Sequence, residues 1–327
     1  MTSAAHSESH TRGPSAAHSE SITRGPNAAR ALHIGPAGWS YPDWDGRVYP
    51  AHKPHGFHPL AFLARSFDCI EVNSSFYAVP RAEHAQRWCE LVHDHARFRF
   101  IVKLLQDFTH TTARVADERA SELELLAVEF QRGIEPLVRA KRLSALLMQF
   151  PVTFLFGKTE VRRLGHLRAL FSDLPIVLEV RHQSWFTPPA LATIRGLACS
   201  LAYIDLPPAW NHPPLWHEPT GPIGYLRLHG RNASTWFRKE AGRDEKYDYL
   251  YSQSELEALA TRARRIESAS EQSFAITNNH FGGKAVANAI ELAWLMRGEP
   301  VPAGAEIVAS FPELAPITRV EGQQRLF

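Results

Sequence analysis

The stretch Ile176-Val-Leu-Glu-Val-Arg181 indicates the fold of this chain. Every second side chain from Ile176 onward is apolar, while the alternate positions end in Glu179 and Arg181. Side chains alternate between the two faces of a β-strand. The wholly apolar face is expected to pack against helices, so Glu179 and Arg181 are expected to point into the interior of a barrel.

Comparable short apolar runs recur along the chain, roughly every 25 to 50 residues, which is typical of strand–helix units. The other predicted strands are Leu32–Gly35, Cys69–Asn73, Phe98–Leu104, Ser144–Phe150, Leu201–Leu206, Gly224–His229 and Phe274–Asn278. Helical periodicity predicts helices over Arg119–Arg139, Ser254–Ser268 and Lys284–Met296.

Ser254 followed by Glu257 is a capping-box pattern, which predicts where the second of these helices begins. Eight strands that alternate with helices predict an α/β fold, a (β/α)8 TIM barrel in a single domain. The alternative is an open doubly wound sheet, but Gly35–Gly38 matches its glycine-rich fingerprint poorly.

The composition is that of an ordinary globular protein, with 44% hydrophobic residues among 327 and a formal net charge of +2. A balanced charge does not favour a dedicated nucleic-acid or membrane binder. Three widely spaced cysteines predict neither a disulfide framework nor a zinc knuckle. Because no apolar run is long enough for a membrane span or a signal peptide, we expect a cytoplasmic protein.

Three segments are expected. Residues 1–30 contain a tandem repeat, SAAHSESHTRGP followed by SAAHSESITRGP, which is too polar to form a core and predicts a disordered tail. Residues 31–300 should form the barrel, and residues 301–327 an irregular extension. Within the barrel, the proline-dense Pro207–Pro222 predicts a long loop in place of a helix.

Strand alternation predicts that several polar side chains point into the barrel near the C-terminal ends of the strands, where barrel enzymes build their sites. Besides Glu179 and Arg181, these are Glu71, Asn73, Lys103, Gln149, Tyr203, Asp205, Arg227, His229 and Asn278. Loops after the strands add aromatic residues such as Trp185. Aromatic walls around a few convergent polar groups are typical of a small-molecule or sugar pocket.

Six ordered motifs resemble one family. They are GPAGWSY (35–41), EVNSSFY (71–77), FIVK (100–103), LEVRHQSWF (178–186), YLRLHGR (225–231) and TNNHFGGKA (277–285). Together they resemble the YecE-like family, a bacterial and archaeal domain of unknown function with a TIM-barrel fold, over about residues 32–298. Thr277 and Ser75 depart from the family pattern, which often has an aromatic residue and a threonine there.

The resemblance implies the barrel fold but no established activity, substrate or cofactor. Its implied functional residues are Glu71, Asn73, Lys103, Glu179, Arg181, His182, Arg227, His229, Asn278 and Asn279.

The leading hypothesis is an enzyme of the hydrolase, lyase or isomerase type, without a cofactor or metal, that acts on an anionic or sugar-like small molecule. Glu71, Glu179 and His229 would supply acid–base catalysis. Substrate binding would fall to Asn73, Lys103, Arg181, His182, Trp185, Arg227, Asn278 and Asn279.

Two alternatives stay open. A metal-dependent phosphoesterase acting on nucleic acid could draw ligands from Glu71, Glu179, His182, Asp205, His229 and His280. A non-catalytic module could use the same pocket to bind a ligand. In addition, Gly282-Gly283 before the last predicted helix is either an anion-binding helix N-terminus with Lys284 or a tight turn.

Overall fold

The computed structural model describes residues 32–320, apart from residues 113, 114, 116 and 117. The predicted disorder of residues 1–30, with their repeat, therefore lies outside the described residues. The described strands are β1 (His33–Pro36), β2 (Cys69–Val72), β3 (Arg99–Lys103), β4 (Leu143–Gln149), β5 (Ile176–Glu179), β6 (Cys199–Leu201), β7 (Tyr203–Asp205), β8 (Ile223–Leu228), β9 (Gln272–Thr277), β10 (Val301–Ala303) and β11 (Thr318–Val320).

Two parallel sheets form the centre of an α/β fold. One has the strand order β2-β3-β4-β5-β6, and the other has the order β1-β9-β8-β7. Every pair within them is parallel. All eight predicted strands are present, and only the run Leu201–Leu206 differs, because it falls across two strands separated by Ala202.

The two sheets adjoin along both pairs of edges. At one junction the amide of Ala202 donates to the Leu178 carbonyl of β5 at 2.9 Å, while β7, which follows directly, pairs with β8. At the other junction Ala37 forms a parallel bridge to Glu71. The Gly38 amide also donates to the Glu71 carbonyl at 2.8 Å.

Helices connect most strands. They are α1 (Pro59–Leu63), α2 (Ala82–Leu91), α3 (Gln106–Thr109), α4 (Ala120–Arg139), α5 (Lys158–Leu170), α6 (Pro188–Gly196), α7 (Ala233–Trp236), α8 (Arg243–Lys246), α9 (Gln253–Ser268), α10 (Lys284–Arg297) and α11 (Ala305–Ser310). The predicted loop Pro207–Pro222 contains no helix. In the described part of the chain, no helix is both long enough and apolar enough to cross a membrane.

The N-cap of α9 lies two residues before the predicted one. Ser252 rather than Ser254 is the N-cap, and its hydroxyl accepts from the Glu255 amide while the Glu255 carboxylate accepts from the Ser252 amide. The motif S-x-x-E occurs at both positions. The first is used because Tyr251, immediately before it, is held by a hydrogen bond from its amide to Asn288 of α10.

The central strands bury two distinct apolar clusters, which define an inner and an outer face. On the outer face, residues such as Leu178 and Leu226 pack against the helices. On the inner face, a smaller cluster is formed by Ala37, Cys69, Ile101, Ala145, Leu147, Val177, Ala202, Ile204, Ile223, Tyr225, Phe274 and Ile276. On β2, β3, β4, β5, β8 and β9 these apolar residues precede the polar inner-face residues, which therefore gather toward the C-terminal ends of the strands.

The predicted inward orientation of Tyr203 and Asp205 is wrong. Both lie on the outer face, since their neighbours Ala202 and Ile204 occupy the inner cluster. Tyr203 stacks on His217 of the proline-rich loop, with ring centroids 4.1 Å apart. The prediction took polar side chains to point inward. However, the elements that cover the outer face of β7 also carry polar groups, and these contact Tyr203 and Asp205.

The C-terminal segment contains regular structure over its described part, where an irregular extension was predicted. β10 and β11 pair in parallel, and α11 lies between them in sequence. Val301, Ile307 and Leu314 are buried against the main outer core. These apolar side chains anchor residues 301–320 to the domain despite their proline content, and residues 321–327 lie outside the described residues.

Candidate functional site

A network of four charged side chains occupies the inner face at the C-terminal strand ends. We call Glu71, Glu179, Arg181 and Arg227 the inner ion cluster. Arg227 follows the inner-face register of β8 and donates from Nε and Nη2 to the two oxygens of Glu71, at 2.9 and 2.5 Å. Its Nη1 donates to Glu179 Oε2 at 2.8 Å. All three side chains are almost completely buried.

The rest of the cluster balances this charge. Arg181 Nε donates to Glu179 Oε1 at 2.9 Å, and Arg181 Nη2 lies 2.8 Å from the same oxygen. The hydroxyl of Tyr225 donates to Glu71 Oε2 at 2.5 Å, and burial raises the pKa of Tyr225 well above its usual value, which keeps this donor protonated. Two guanidinium groups therefore face two carboxylates, and each carboxylate is well supplied with donors, as buried charges require.

Burial and the nearby arginines act in opposite directions on the pKa of Glu179, whereas burial outweighs the opposing charge of Glu179 in its effect on the pKa of His229. Burial alone would raise the pKa of Glu179, but Arg227 and Arg181 hold it well below its usual range. Burial lowers the pKa of His229 to about 3, so this imidazole is neutral at pH 7. Asn278 Nδ2 lies 3.1 Å from His229 Nδ1, which leaves Nε2 to face Glu179 Oε1 at 3.4 Å.

Two adjoining spaces open above this cluster. The first, which we call the inner cavity, has a volume of about 260 Å³ and is lined by residues that include Tyr41, Asn73, Arg227, Asn278 and His280. The second, which we call the outer cleft, has a volume of about 560 Å³ and is lined by residues that include His110, Gln149, Arg181, His212 and Phe237. The two spaces share Phe76, Tyr77, Lys103, Arg243 and Tyr247.

The charges on these walls all have one sign. Lys103, Arg181, Arg227 and Arg243 line one or both spaces. Of the described residues, no aspartate or glutamate lines either space. The carboxylates of the inner ion cluster are fully buried and lie behind the wall, where they hold Arg227 in place.

Lys103 differs from the other three cations. It ends β3 on the inner face, and its Nζ lies 3.9 Å from the centroid of the Phe76 ring. Among the described residues, no carboxylate lies within ion-pairing distance of Nζ. Burial, with a further contribution from the charge of Arg227, lowers the pKa of Lys103 to about 7.

The structure brings together most of the residues predicted to bind substrate. Asn73, Lys103, Arg227 and Asn278 line the inner cavity, and Arg181 lines the outer cleft. The three residues predicted to be catalytic, Glu71, Glu179 and His229, are next to them but fully buried. They contact the wall residues and do not line either space.

Three predicted binding residues lie elsewhere. The imidazole of His182 accepts from the Ser184 amide at 3.2 Å and caps the 3-10 turn Gln183–Phe186. Trp185 is fully buried in the outer core, where its Nε1 donates to the Phe154 carbonyl at 2.7 Å. Asn279 donates to Asn288 Oδ1 at 2.8 Å and so ties its loop to α10. Each has a local partner that sequence spacing does not reveal.

Several wall residues were absent from the predicted site. Tyr41 and Tyr77 belong to the quoted motifs, and Tyr41 stacks on His280 with ring centroids 4.6 Å apart. Arg243 and Tyr247 lie on and next to the short helix α8, in the long connection between β8 and α9. No strand register extends into that connection, so alternation could not have identified them.

The candidate metal ligands are not assembled into one site. Within the described ranges, no group of three or more His, Cys, Asp and Glu side chains is arranged to hold a metal ion. Asp205 lies on the outer face, and His280 Nε2 is paired with Asp244 Oδ1 at 3.3 Å. Glu71 and Glu179 are already engaged by Arg227.

The glycine pair before α10 forms a tight turn. Gly282 and Gly283 have φ values of +67° and +83°, which favour glycine. The Gly282 amide donates to Asp43 Oδ2 at 2.6 Å, and Lys284 pairs with Asp248. Since protein carboxylates already occupy this amide and this ammonium, the anion site considered for the helix N-terminus is not supported.

Comparison with known proteins agrees with the motif pattern. A family model described as "Protein of unknown function DUF72" matches residues 33–308. The UPF0759 protein YunF of Bacillus subtilis (strain 168) is 27% identical over 275 residues, which cover 81% of this chain and 94% of YunF. The UPF0759 protein YecE of Escherichia coli (strain K12) is 33% identical over 157 residues, 47% of this chain and 50% of YecE.

Solved structures show the same likeness. A DUF72 family protein from Thermotoga maritima MSB8 has a TM-score of 0.70 at 29% identity, covering 81% of this chain and 98% of that one. A DUF72 family protein from Enterococcus faecalis V583 has a TM-score of 0.70 at 25% identity, covering 81% of this chain and 95% of that one.

Proposed function

The chain belongs to the DUF72 family of proteins of unknown function, and on that premise we propose that it is an enzyme that binds a small anionic substrate above the inner ion cluster. One observation carries this proposal: the described walls of the inner cavity and outer cleft present four basic side chains and no carboxylate. A phosphate or carboxylate would gain charge-assisted hydrogen bonds there. The aromatic walls would accommodate the uncharged part of such a substrate.

In this proposal the buried carboxylates position the site and do not react. Glu71 and Glu179 hold Arg227 through all three of its donor nitrogens. The low pKa of Glu179 favours a permanent anion, which neither donates nor readily accepts a proton near pH 7. We therefore propose that Glu71, Glu179 and His229, which sequence patterns put forward as catalytic, maintain the orientation of the guanidinium groups.

We also propose that the central strands close into a (β/α)8 barrel, with the site at its mouth. The contacts of Ala202 and Ala37 at the two sheet junctions support closure, as does the gathering of polar inner-face residues toward the C-terminal strand ends. A cytoplasmic location belongs to the same proposal, supported by three free cysteines, of which Cys69 and Cys199 are buried.

Calorimetric titration with inorganic phosphate tests the binding step. We expect binding that weakens with rising salt concentration. The variant Arg243→Gln should weaken binding at least about tenfold, because one charge-assisted contact is lost. The matched control is Arg87→Gln, since Arg87 is an exposed arginine of α2 that is paired with Glu90. Phosphate affinity equal in both variants would contradict the proposal.

The catalytic step needs a separate test. Small phosphate esters and carboxylates that compete with phosphate would be incubated with the protein and followed by nuclear magnetic resonance. Turnover that is lost in Arg243→Gln would support an enzyme. Competition without any turnover would contradict that part of the proposal and favour the ligand-binding module.

A further inference from the structure

Lys103 differs from the other basic residues of the walls because it has no anionic partner among the described residues. Lys103 lines both the inner cavity and the outer cleft, so its Nζ lies where the two spaces meet. By contrast, Arg227 and Arg181 pair with Glu179, and Arg243 pairs with Asp244 at 3.0 Å.

Charge balance explains why an ammonium ion is disfavoured at this position. The two guanidinium groups and two carboxylates of the inner ion cluster compensate one another, and His229 is neutral at pH 7. A proton on Lys103 would therefore add an uncompensated positive charge beside Arg227. Once it has lost a proton, Lys103 Nζ, which lies 3.9 Å from the centroid of the Phe76 ring and has no carboxylate partner among the described residues, carries a lone pair available for reaction.

From this placement we infer that Lys103 is a nucleophile that forms an imine with the carbonyl carbon of an anionic aldehyde or ketone. The inference rests on the proposed function and specifies its substrate class. A desolvated lysine beside other cations is the arrangement that activates an amine for such a reaction. The pKa of about 7 implies that a large fraction of Lys103 is unprotonated at neutral pH.

The reaction balances without another reagent. The Nζ lone pair attacks the carbonyl carbon, and one proton moves from nitrogen to oxygen to give a carbinolamine. The carbinolamine then loses water, which is formed from its hydroxyl group and the second proton of the nitrogen. A carbon–nitrogen double bond remains. Arg181 and Arg243 flank Lys103 in the outer cleft and would hold the anionic group of the substrate.

Reductive trapping tests the inference in the full-length protein. Glyoxylate and sodium cyanoborohydride at pH 7 should convert Lys103 to its carboxymethyl derivative, located by peptide mass mapping. Lys53, paired with Asp45, and Lys284, paired with Asp248, serve as internal controls. We expect Lys103 to be labelled at least about tenfold faster than either, because an ordinary lysine is almost fully protonated at pH 7. Equal or slower labelling of Lys103 would overturn the inference.

Two variants separate reactivity from anion binding. Lys103→Met should abolish the fast-labelling site, with circular dichroism verifying its fold. Arg243→Gln should slow labelling by glyoxylate several-fold more than it slows labelling by neutral acetaldehyde. If phosphate binding requires Arg243 while Lys103 is not labelled, the imine fails and the anion site stands. If each aldehyde labels Lys103 as fast in Arg243→Gln as in the wild-type protein, Lys103 is a nucleophile but the proposed anion site is wrong.

Discussion

Two buried arginine–carboxylate networks lie at the same ends of the central strands, on opposite faces. The inner ion cluster is one. The second, which we call the outer ion cluster, consists of Asp205, Arg231, Arg262 and Tyr251. Arg231 donates to both oxygens of Asp205, at 2.8 and 2.7 Å, and the Tyr251 hydroxyl donates at 2.7 Å. Arg231 also donates to Glu255 Oε1 at 3.0 Å, so each network combines two arginines with two carboxylates and a tyrosine donor.

They differ in what surrounds them. Arg262 of α9 donates from Nη2 to the Ile204 carbonyl at 3.2 Å, and so connects the helix to β7. Burial lowers the pKa of Arg262 to about 10, and its Nε and Nη1 have no hydrogen-bond partner among the described residues. Arg227 instead uses all three nitrogens and borders a cavity. A buried ion pair by itself therefore does not identify a functional site. A stronger indication is a fully hydrogen-bonded ion cluster beneath a cavity whose described charged wall residues are all basic.

The largest effect is expected from removing the central cation of the inner cluster. Arg227→Met leaves two carboxylates buried without their main partner, which should lower the free energy of unfolding by about 3–5 kcal/mol. Urea denaturation measures the loss. The double variant Glu71→Gln, Arg227→Met should regain much of it, because Glu179 keeps its pair with Arg181 and no unpaired charge remains in the cluster. A loss below about 1 kcal/mol in the single variant would contradict tight coupling within the cluster.

A smaller loss is expected in the outer cluster. Asp205→Asn should lower the free energy of unfolding by about 2–3 kcal/mol, because Arg231 is partly exposed and can be solvated, whereas Arg262 is left buried. Phosphate affinity should stay unchanged, since Asp205 is on the outer face. Weakened phosphate binding, comparable to that of Arg243→Gln, would show that the two networks are coupled.

The smallest effect is expected from mild acid, at about pH 5.5. The folded protein keeps His229 unprotonated down to about pH 3, whereas the unfolded chain takes up a proton near pH 6.5. Acid therefore favours the unfolded state. The stability contribution is fully present above pH 6.5 and is lost as the pH falls toward 3, by about 1 kcal/mol by pH 5.5. His229→Asn should reduce this pH dependence in urea titrations. An unchanged pH dependence would mean that His229 takes up its proton at the same pH in the folded and the unfolded protein.

Strand alternation predicted much of the inner site because β2, β3, β5, β8 and β9 are regular up to their C-terminal ends. On such strands, parity alone places Glu71, Lys103 and Arg227 on one face. The same rule misplaced Asp205, because it used polarity to decide which face of β7 is inward. The sequence of Ala202 and Ile204 does not show which face of β7 points inward, because apolar side chains fit either face. Only packing decides the orientation of this strand.

The sequence by itself determined the alternating pattern of strands and helices, the family, and the charged residues that meet at the strand ends, because each depends on local periodicity or on ordered motifs. Only the tertiary structure decided which side chains reach a cavity. Trp185 and Asn279 lie in matching motifs, but their side chains donate to the Phe154 and Tyr249 carbonyls, which are 31 and 30 residues away in the sequence. Arg243 reaches the cavity walls from a connection without periodicity. Access and partnership depend on contacts between elements far apart in the chain, and no local pattern encodes them.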